Sequence, residues 1–401
     1  MNILLIHHFP GVGGGTISAL DVIRILRKQG HNVTFAIPNP CQMVVESCKS
    51  LGVRIKEIKL PPLYTYHNAS SNAAKCVIKY IVSLKNKSYW KELLVAEAPD
   101  LVILNSVSQA PLISVVNSLG IRCIITIRET FRSQGSKIAN KVLVNMISKA
   151  DIALYLTEYD KKQWNSRNRI CAVLPDVVDD NRYTKHTQEN IEDFQNKESL
   201  QKKVKYILYL GGISSVKGAL DLLLAYERIA EKRTDIGLLL LGNNNRDVKG
   251  KLFRIFNKSE YNYYKKCHAL IDKFINYGYP VKDVGIVPDT SFWYEVSTVV
   301  VFPVTSVHQP RPAYEAGYYS KPIILPKFEN FCEYLRDGVN GFYYERGNFE
   351  DLAQKIDHLL IDTFSLEKIG MNNHSVFEST HSMNKAEVVL KDIINQKALL
   401  I

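Results

Sequence analysis

The chain has few cysteines and no pattern in the ones it has. Its seven (Cys41, Cys48, Cys76, Cys123, Cys171, Cys267 and Cys332) are scattered, odd in number and never paired as CxxC. That excludes a full disulfide framework and predicts reduced, mostly buried thiols in a cytoplasmic protein. The histidines His7, His8, His31 and His308 show neither HxxxH nor HxH spacing, and Asp176, Asp179 and Asp180 read as turn residues. No metal site is expected from either set. A GxSxG elbow is missing, which removes the serine hydrolases. No apolar run approaches the roughly 20 residues that span a bilayer. The opening MNILLIHHFPGVGG lacks a cationic flank and its apolar run is too short for a signal peptide, so it reads as a first strand.

What is present is ordinary in amount and uneven in placement. Apolar residues make up 46% and charged residues 23%, as in a soluble globular protein, and 401 residues suggest two or three domains. The net charge is +11. Residues 1–195 hold 24 Lys+Arg against 16 Asp+Glu, and residues 196–401 hold 27 against 24. A basic N-terminal half predicts an anionic partner: nucleic acid, a membrane surface or a phosphorylated substrate.

Apolar runs and helical patterns alternate along the chain. NILLIHH (2–8), NVTFAIP (32–38), VRIKEIKL (53–60), LVILNS (101–106), CIITIRE (123–129) and IALYLT (152–157) read as strands. Helical spacing falls at 17–30, 75–95, 109–119 and 137–149. Residues 183–205 are polar and read as a linker. The alternation then restarts with YILYLGG (206–212), a helix over 218–233, IGLLLLG (236–242), DVGIVPD (283–289), STVVVFPV (297–304), a helix over 312–319, KPIILPK (321–327) and a helix over 348–361. Residues 243–282 read as an insertion plus a helix. The pattern predicts two α/β halves with parallel sheets covered on both faces and a ligand cleft between them.

Three stretches carry candidate chemistry. In PGVGGGTISAL (10–20), Gly13, Gly14 and Gly15 precede a helix whose first N–H groups suit a phosphate, Thr16 stands at its start, and the bland alternative is a tight turn. No acidic residue ends the second strand at Ala36-Ile37-Pro38-Asn39, which argues against a nicotinamide dinucleotide. YLGGISSVKGALDLLLAYERI (209–229) repeats the logic, with Lys217 placed to neutralise a diphosphate. VHQPRPAYEAG (307–317) puts His308, Arg311 and Glu315 after a buried strand, where open α/β sheets bind ligands. A fourth stretch, KCVIKYIVSLKNKSYWKELL (75–94), is a basic helix with Tyr80, Tyr89 and Trp90. It suits either an anionic membrane surface or a solvated lysine face, and no nucleic-acid-reading motif accompanies it.

Together YLGGISSVKG, LLLLG, VGIVPD, YEVSTVVVFP, YEAGYYSKPIILP and YLRDGVNGFYY resemble the retaining GT-B glycosyltransferases of the "group 1", or family 4, type. VLPDVVD (173–179) and the glycine turn before RKQGHNV are also similar to that family. The resemblance implies two Rossmann-like doubly wound domains facing a central cleft. The N-terminal, acceptor-binding domain would cover 1–185, a linker 186–205, the donor domain 206–375, and a C-terminal helix 376–401 would pack back on the first domain. It implies a nucleotide-sugar donor, a saccharide or lipid-linked saccharide acceptor, retention, and no metal or other cofactor. The setting it implies is lipopolysaccharide or capsule synthesis at the cytoplasmic membrane face. Glu315 matches the glutamate on the donor ribose, Lys217 the diphosphate lysine, and Gly285 the nucleobase turn. Gly211, Gly212, Ala316 and Gly317 line the donor in that family, and Asn340-Gly341 matches a structural turn.

The departures from the family concern charge. Val307 stands where a first glutamate is usual, and Gly212 where an arginine is usual. Arg311 and His308 are candidates for the missing contacts. A sugar-side histidine is replaced by Arg128-Glu129, which reads either as an acceptor contact or as a surface ion pair. A nucleotide-sugar epimerase on the same fold, and a non-enzymatic basic binding protein, stay open.

Overall fold

Leucine, isoleucine and valine dominate short strands in both halves of the chain, and every strand pair is parallel. In the computed structural model, residues 1–11, 13–59, 86–131, 137–179, 182–243, 257–307 and 309–395 are described. They form two units, Met1–Val177 with Met383–Ile401, and Val178–Ser382.

The first unit holds β1 (Asn2–Ile6), α1 (Gly14–Lys28), β2 (Asn32–Ile37), α2 (Gln42–Ser50), β3 (Arg54–Glu57), α3 (Lys87–Glu97), β4 (Leu101–Leu104), α4 (Ile113–Ser118), β5 (Arg122–Ile127), α5 (Lys137–Ile147), β6 (Ile152–Tyr155), α6 (Glu158–Trp164) and β7 (Ile170–Val173). The second holds α7 (Gln188–Lys197), β8 (Lys205–Leu210), α8 (Ala219–Ala230), β9 (Ile236–Leu241), α9 (Lys258–Asn276), β10 (Val281–Gly285), α10 (Ser291–Val296), β11 (Ser297–Val301), α11 (Arg311–Tyr318), β12 (Ile323–Pro326), β13 (Gly341–Tyr344), α12 (Phe349–Ile361) and α13 (Thr363–Thr380). Helix α14 (Met383–Asn395) belongs to the first unit.

Each sheet is doubly wound. The strand orders are β3-β2-β1-β4-β5-β6-β7 and β10-β9-β8-β11-β12-β13. Along β1, alternate side chains go to opposite layers. Leu4 and Ile6 meet Trp90, Leu93 and Leu143, whereas Ile3 and Leu5 meet Ile23, Leu26 and Leu390. In β8, Tyr206 and Leu208 face Tyr294 and Ala313, and Ile207 and Tyr209 face Leu222 and Phe274. The order reverses between β1 and β4 and again between β8 and β11. Those two crevices, at the carboxyl ends of the strands, are where this architecture binds ligands.

Helix α14 seals one layer of the first unit. Ala386, Leu390, Ile393 and Ile394 join the core beside α1. Arg122 donates to the last carbonyls, Ile393 O at 2.9 Å and Ile394 O at 3.0 Å, and so caps the negative end of the helix. Lys28 reaches Glu387 at 2.6 Å.

Three expectations need correction. The stretch 186–205 is not a free linker. Thr187 caps α7, and its only two apolar residues, Ile191 and Phe194, pack on the core of the second unit. Phe194 stacks on Phe292 with ring centroids 4.6 Å apart. Two anchors in ten residues are too few to show as periodicity. The unit boundary accordingly lies at 177/178 rather than 185. In the basic stretch, residues 75–85 lie outside the described residues. Helix α3 turns Trp90 into the core at 2% exposure and packs the half-buried Tyr89 against it, so Trp90 belongs to the core and not to a surface face. The strand expected over 283–289 runs instead over Val281–Gly285 and stops at a turn. Among the described residues, no helix is long and apolar enough to cross a membrane, and Cys41, Cys48, Cys123, Cys171, Cys267 and Cys332 are free thiols.

Because Leu390 is 1% exposed, Leu390→Ala should cost about 2–4 kcal/mol in urea unfolding. A loss under about 0.5 kcal/mol would show that α14 does not seal this layer.

Candidate functional site

In the second unit the loop after β8 carries Lys217, and it is held from three sides. From beneath, the buried Tyr209 hydroxyl donates to Gly212 O at 2.7 Å and lies 3.3 Å from Lys217 O. From α9, the Glu260 carboxylate accepts from Ser215 N at 2.9 Å and from Ser215 Oγ at 2.5 Å, and the Tyr263 hydroxyl accepts from Leu220 N at 2.8 Å. From the loop after β11, Thr305 donates to Val216 O at 3.1 Å and, through Oγ1, to Ser215 O at 2.9 Å. The two loops that flank the β8/β11 reversal are therefore bonded into one wall.

Glycines permit that contact. Gly218 has φ +72, and a Cβ there would fall 1.7 Å from Pro303 O. Gly212 has φ +68, and a Cβ would fall 2.4 Å from Gly242 O. Gly211 and Gly212 both donate to Leu241 O at 3.2 Å, and Gly242 N donates to Gly285 O at 2.6 Å. The carboxyl ends of β8, β9 and β10 thus meet through bare backbone.

Lys217 is half-buried, with Nζ 5.4 Å from the centre of the Phe302 ring. Burial pushes its ammonium down to about 8. Arg311 opens α11 on the other side of the reversal and is 8% exposed. Its Nε donates to Glu315 Oε1 at 2.9 Å. Val307, where a glutamate was expected, packs against the apolar core. His308 lies outside the described residues.

Several candidates are placed differently from the expectation. Ala316 is fully buried. Gly317 lies where a Cβ would meet Tyr334 Oη at 2.6 Å and Phe377 Cβ at 2.7 Å, so it serves helix packing rather than lining a donor. Glu315 is 6% exposed and accepts from Tyr183, Tyr294 and Arg311 instead of presenting an open carboxylate. Asn340, in contrast, stabilises a turn as expected, with Oδ1 accepting from Arg336 N at 2.8 Å.

The first unit builds a neutral site at the β1/β4 reversal. Asn105 donates to His7 Nδ1 at 3.1 Å and to Gly15 O at 3.1 Å. With Nδ1 accepting, Nε2 carries the proton toward Thr16 Oγ1 at 3.1 Å, and Thr16 donates to Gly11 O at 2.7 Å. Burial, together with His8 and Arg128, pushes His7 down to about 3, so the imidazole is uncharged. The N-terminus of α1 follows Gly13, which supplies no side-chain cap, and Gly14 is exposed. Arg128 lies beside Gly15 but is ion-paired with Asp176, which also accepts from Ser18 at 2.7 Å. Glu129 Oε1 accepts from Ser106 Oγ at 2.5 Å and Oε2 from Val107 N at 3.1 Å, which anchors the start of the 3₁₀ turn Val107–Leu112. Glu129, a candidate acceptor contact from the sequence, is thus a turn anchor. Among the described residues, no three His, Cys, Asp or Glu side chains converge as a metal-binding set. His7, Asn105, Glu260 and Thr305 were not legible as site residues, because partners of each lie far away in sequence.

Restoring the usual arginine should fail. Gly212→Arg should lower stability by about 2–4 kcal/mol in thermal unfolding, from positive φ and the clash with Gly242. A variant with unchanged stability would contradict the close approach. His7 predicts an acid dependence. Its folded pKa lies below its unfolded one, so the unfolded chain binds the extra proton between about pH 3 and 6.5. Stability should fall by at most about 1.4 kcal/mol per pH unit over that window as pH drops, and His7→Gln should flatten the slope.

Residues 190–375 match the family described as "Glycosyl transferases group 1". The chain is 25% identical over 178 residues to the capsular polysaccharide biosynthesis glycosyltransferase CapM of Staphylococcus aureus, a match covering 43% of this chain and 41% of that protein. It is 28% identical over 206 residues to spore coat protein SA of Bacillus subtilis (strain 168), covering 49% of this chain and 50% of the relative. The chain thus spans about half the length, or less, of these curated relatives. The crystal structure of Anabaena Alr3699/HepE in complex with UDP and glucose superposes with a TM-score of 0.77 at 16% identity, over 99% of this chain and 100% of that one. Over residues 190–375 the chain is thus similar to group 1 glycosyltransferases, and it has the GT-B fold.

Proposed function

We propose that this chain transfers a glycosyl group from a nucleotide-sugar to an acceptor hydroxyl. The observation that carries the reading is the wall at the β8/β11 reversal, where Lys217 is fixed between the glycine turn and the loop after β11. Departure of a nucleoside diphosphate builds negative charge on its phosphates. A cation already desolvated and held by backbone bonds stabilises that charge without reorganising. Lys217 is that cation, and Arg311 is the second, in place of the arginine that Gly212 cannot become. The two supply electrostatic stabilisation at the diphosphate, so no metal is required in this proposal. Retention, with the leaving phosphate aiding proton removal from the acceptor, follows from the family resemblance. The turn at Gly13–Thr16 is the acceptor side of the proposal, with Arg128 beside it.

The acceptor we propose is a saccharide, lipid-linked, in surface polysaccharide synthesis at a cytoplasmic membrane face. Two things support this: the charge excess over residues 1–195, and a relative described as a capsular polysaccharide biosynthesis glycosyltransferase.

Calorimetry against ADP, CDP, GDP, UDP and their sugars tests the donor. Lys217→Met should weaken the tightest of these about 30-fold or more. Since the ammonium titrates near 8 before nucleotide binds, binding above that pH must take up a proton. Affinity should therefore fall toward tenfold per pH unit between 8 and 10, and Lys217→Met should remove that dependence. Binding that is indifferent to both would sink the assignment. Incubation with the sugar nucleotide alone separates the reactions, because epimer formation without an acceptor would overturn transfer.

A further inference from the structure

One helix of the first unit spends apolar side chains on solvent. Helix α5 packs on its sheet through Leu143 and Ile147, both fully buried. On its outer face Ile138 is 74% exposed and Val142 is 41% exposed. They stand one turn apart, so their side chains are neighbours along the helix. A single exposed aliphatic is ordinary. Two in register do nothing for the helix, since β-branched residues form helix less readily than alanine or leucine.

Cations frame this pair. Lys137 and Lys141 share the outer face and Lys149 follows the helix, and all three are exposed and make no ion pair among the described residues. The segment after α6 is fastened to the end of α5. Asn168 Nδ2 donates to Ile147 O at 2.6 Å and to Ala150 O at 2.9 Å, and Arg167 N donates to Ser148 Oγ at 2.9 Å. That brings the exposed Arg167 and Arg169 beside the end of the helix. Residues 137–169 hold seven Lys+Arg against three Asp+Glu, and α5 itself has no acidic residue. Each of the three acids is already engaged. Asp160 is 1% exposed, Glu158 pairs with Lys161 at 3.2 Å, and Asp151 Oδ2 accepts from Cys123 N at 2.7 Å.

Aliphatic side chains among uncompensated lysines match an anionic lipid surface. The apolar groups enter the headgroup boundary while the lysine stems reach the phosphates. Protein interfaces concentrate aromatic residues and arginine and are poor in lysine, and α5 has neither an aromatic residue nor an arginine.

We propose that the outer face of α5, with Ile138 and Val142 set among Lys137, Lys141 and Lys149, docks the first unit on an anionic lipid bilayer. It is a different surface from the basic stretch 75–94, whose Trp90 lies in the core. Because α5 joins the parallel strands β5 and β6, its first turn lies at the carboxyl edge of the sheet, which also holds the turn Gly13–Thr16. Docking there brings that edge close to the headgroups, where a lipid-linked acceptor presents its hydroxyl. This purpose rests on the acceptor proposed above, whereas the contact itself does not.

Co-sedimentation of the full chain with vesicles tests the contact, using phosphatidylcholine alone and phosphatidylcholine with about 30% phosphatidylglycerol. The mixed vesicles should bind about tenfold more tightly or better, and about 0.5 M salt should remove most of that preference. Lys137→Gln with Lys141→Gln should weaken binding about 10–25-fold, at about fivefold per lysine. Ile138→Ser with Val142→Ser should weaken it several-fold and leave the salt dependence in place. Phe364→Ser with Lys368→Gln alters exposed groups of the same kinds on α13 and should leave binding within about twofold. All six side chains are exposed, so the thermal unfolding of each variant should stay unchanged, which separates lost docking from a lost fold. Equal binding to both vesicles, or equal losses from the α5 and α13 variants, would overturn the surface. So would a dimer in sedimentation that Ile138→Ser with Val142→Ser dissolves, because the occupant would then be a second copy. Transfer assays on the vesicle-bound chain separate the two readings: docking without transfer to a lipid-linked saccharide sinks that acceptor and leaves the surface standing.

Discussion

Gly218 rests on the carbonyl of Pro303 with no room for a Cβ, and the geometry around Lys217 depends on that contact. It lets the turn after β8 lie on the loop after β11, so that Thr305 can bond Val216 and Ser215. Without it, the lysine would sit on a mobile glycine turn, and its ammonium would have no reason to be desolvated. Two neighbouring strands of a parallel sheet point their carboxyl ends the same way, but only a close backbone approach turns two loops into one surface.

The two units solve the same topological problem with opposite electrostatics. Both place a glycine turn and a helix start at a reversal of strand order. In the first, the polar groups are neutral and satisfied in series, from Asn105 through His7 and Thr16 to Gly11, and the arginine beside them is paired with Asp176. In the second, a half-buried ammonium and a clamped guanidinium flank the reversal. A site that must stabilise developing negative charge needs fixed cations, whereas one that positions a neutral hydroxyl needs ordered donors and acceptors.

Legibility followed range. The strands of both sheets were readable as short runs of Leu, Ile and Val, because a parallel sheet buried on both faces needs little else. The edge strands Ile170–Val173 and Gly341–Tyr344 were missed, neither being a fully buried aliphatic run. Helix α7 was read as a linker because its stability comes from a threonine cap and two anchors, not from an apolar stripe. Lys217 and Arg311 were identifiable from their positions after buried strands. Glu315 was identifiable as important, but its protein partners were not, since Tyr183 lies 132 residues away and Tyr294 lies 21 residues away.

The sequence by itself determined the architecture: doubly wound parallel sheets, glycine turns before helices, and cations after β8 and β11. These follow from local periodicity and from backbone conformations that only glycine adopts cheaply. Tertiary structure alone decided what each charge does. It turned Trp90 inward, made Glu129 a turn anchor, sealed one sheet layer with a helix from the far end of the chain, and filled the Glu315 carboxylate with protein donors. The physical reason is that a charged group takes its role from the partners packed around it, and those partners are brought together by folding, not by proximity along the chain.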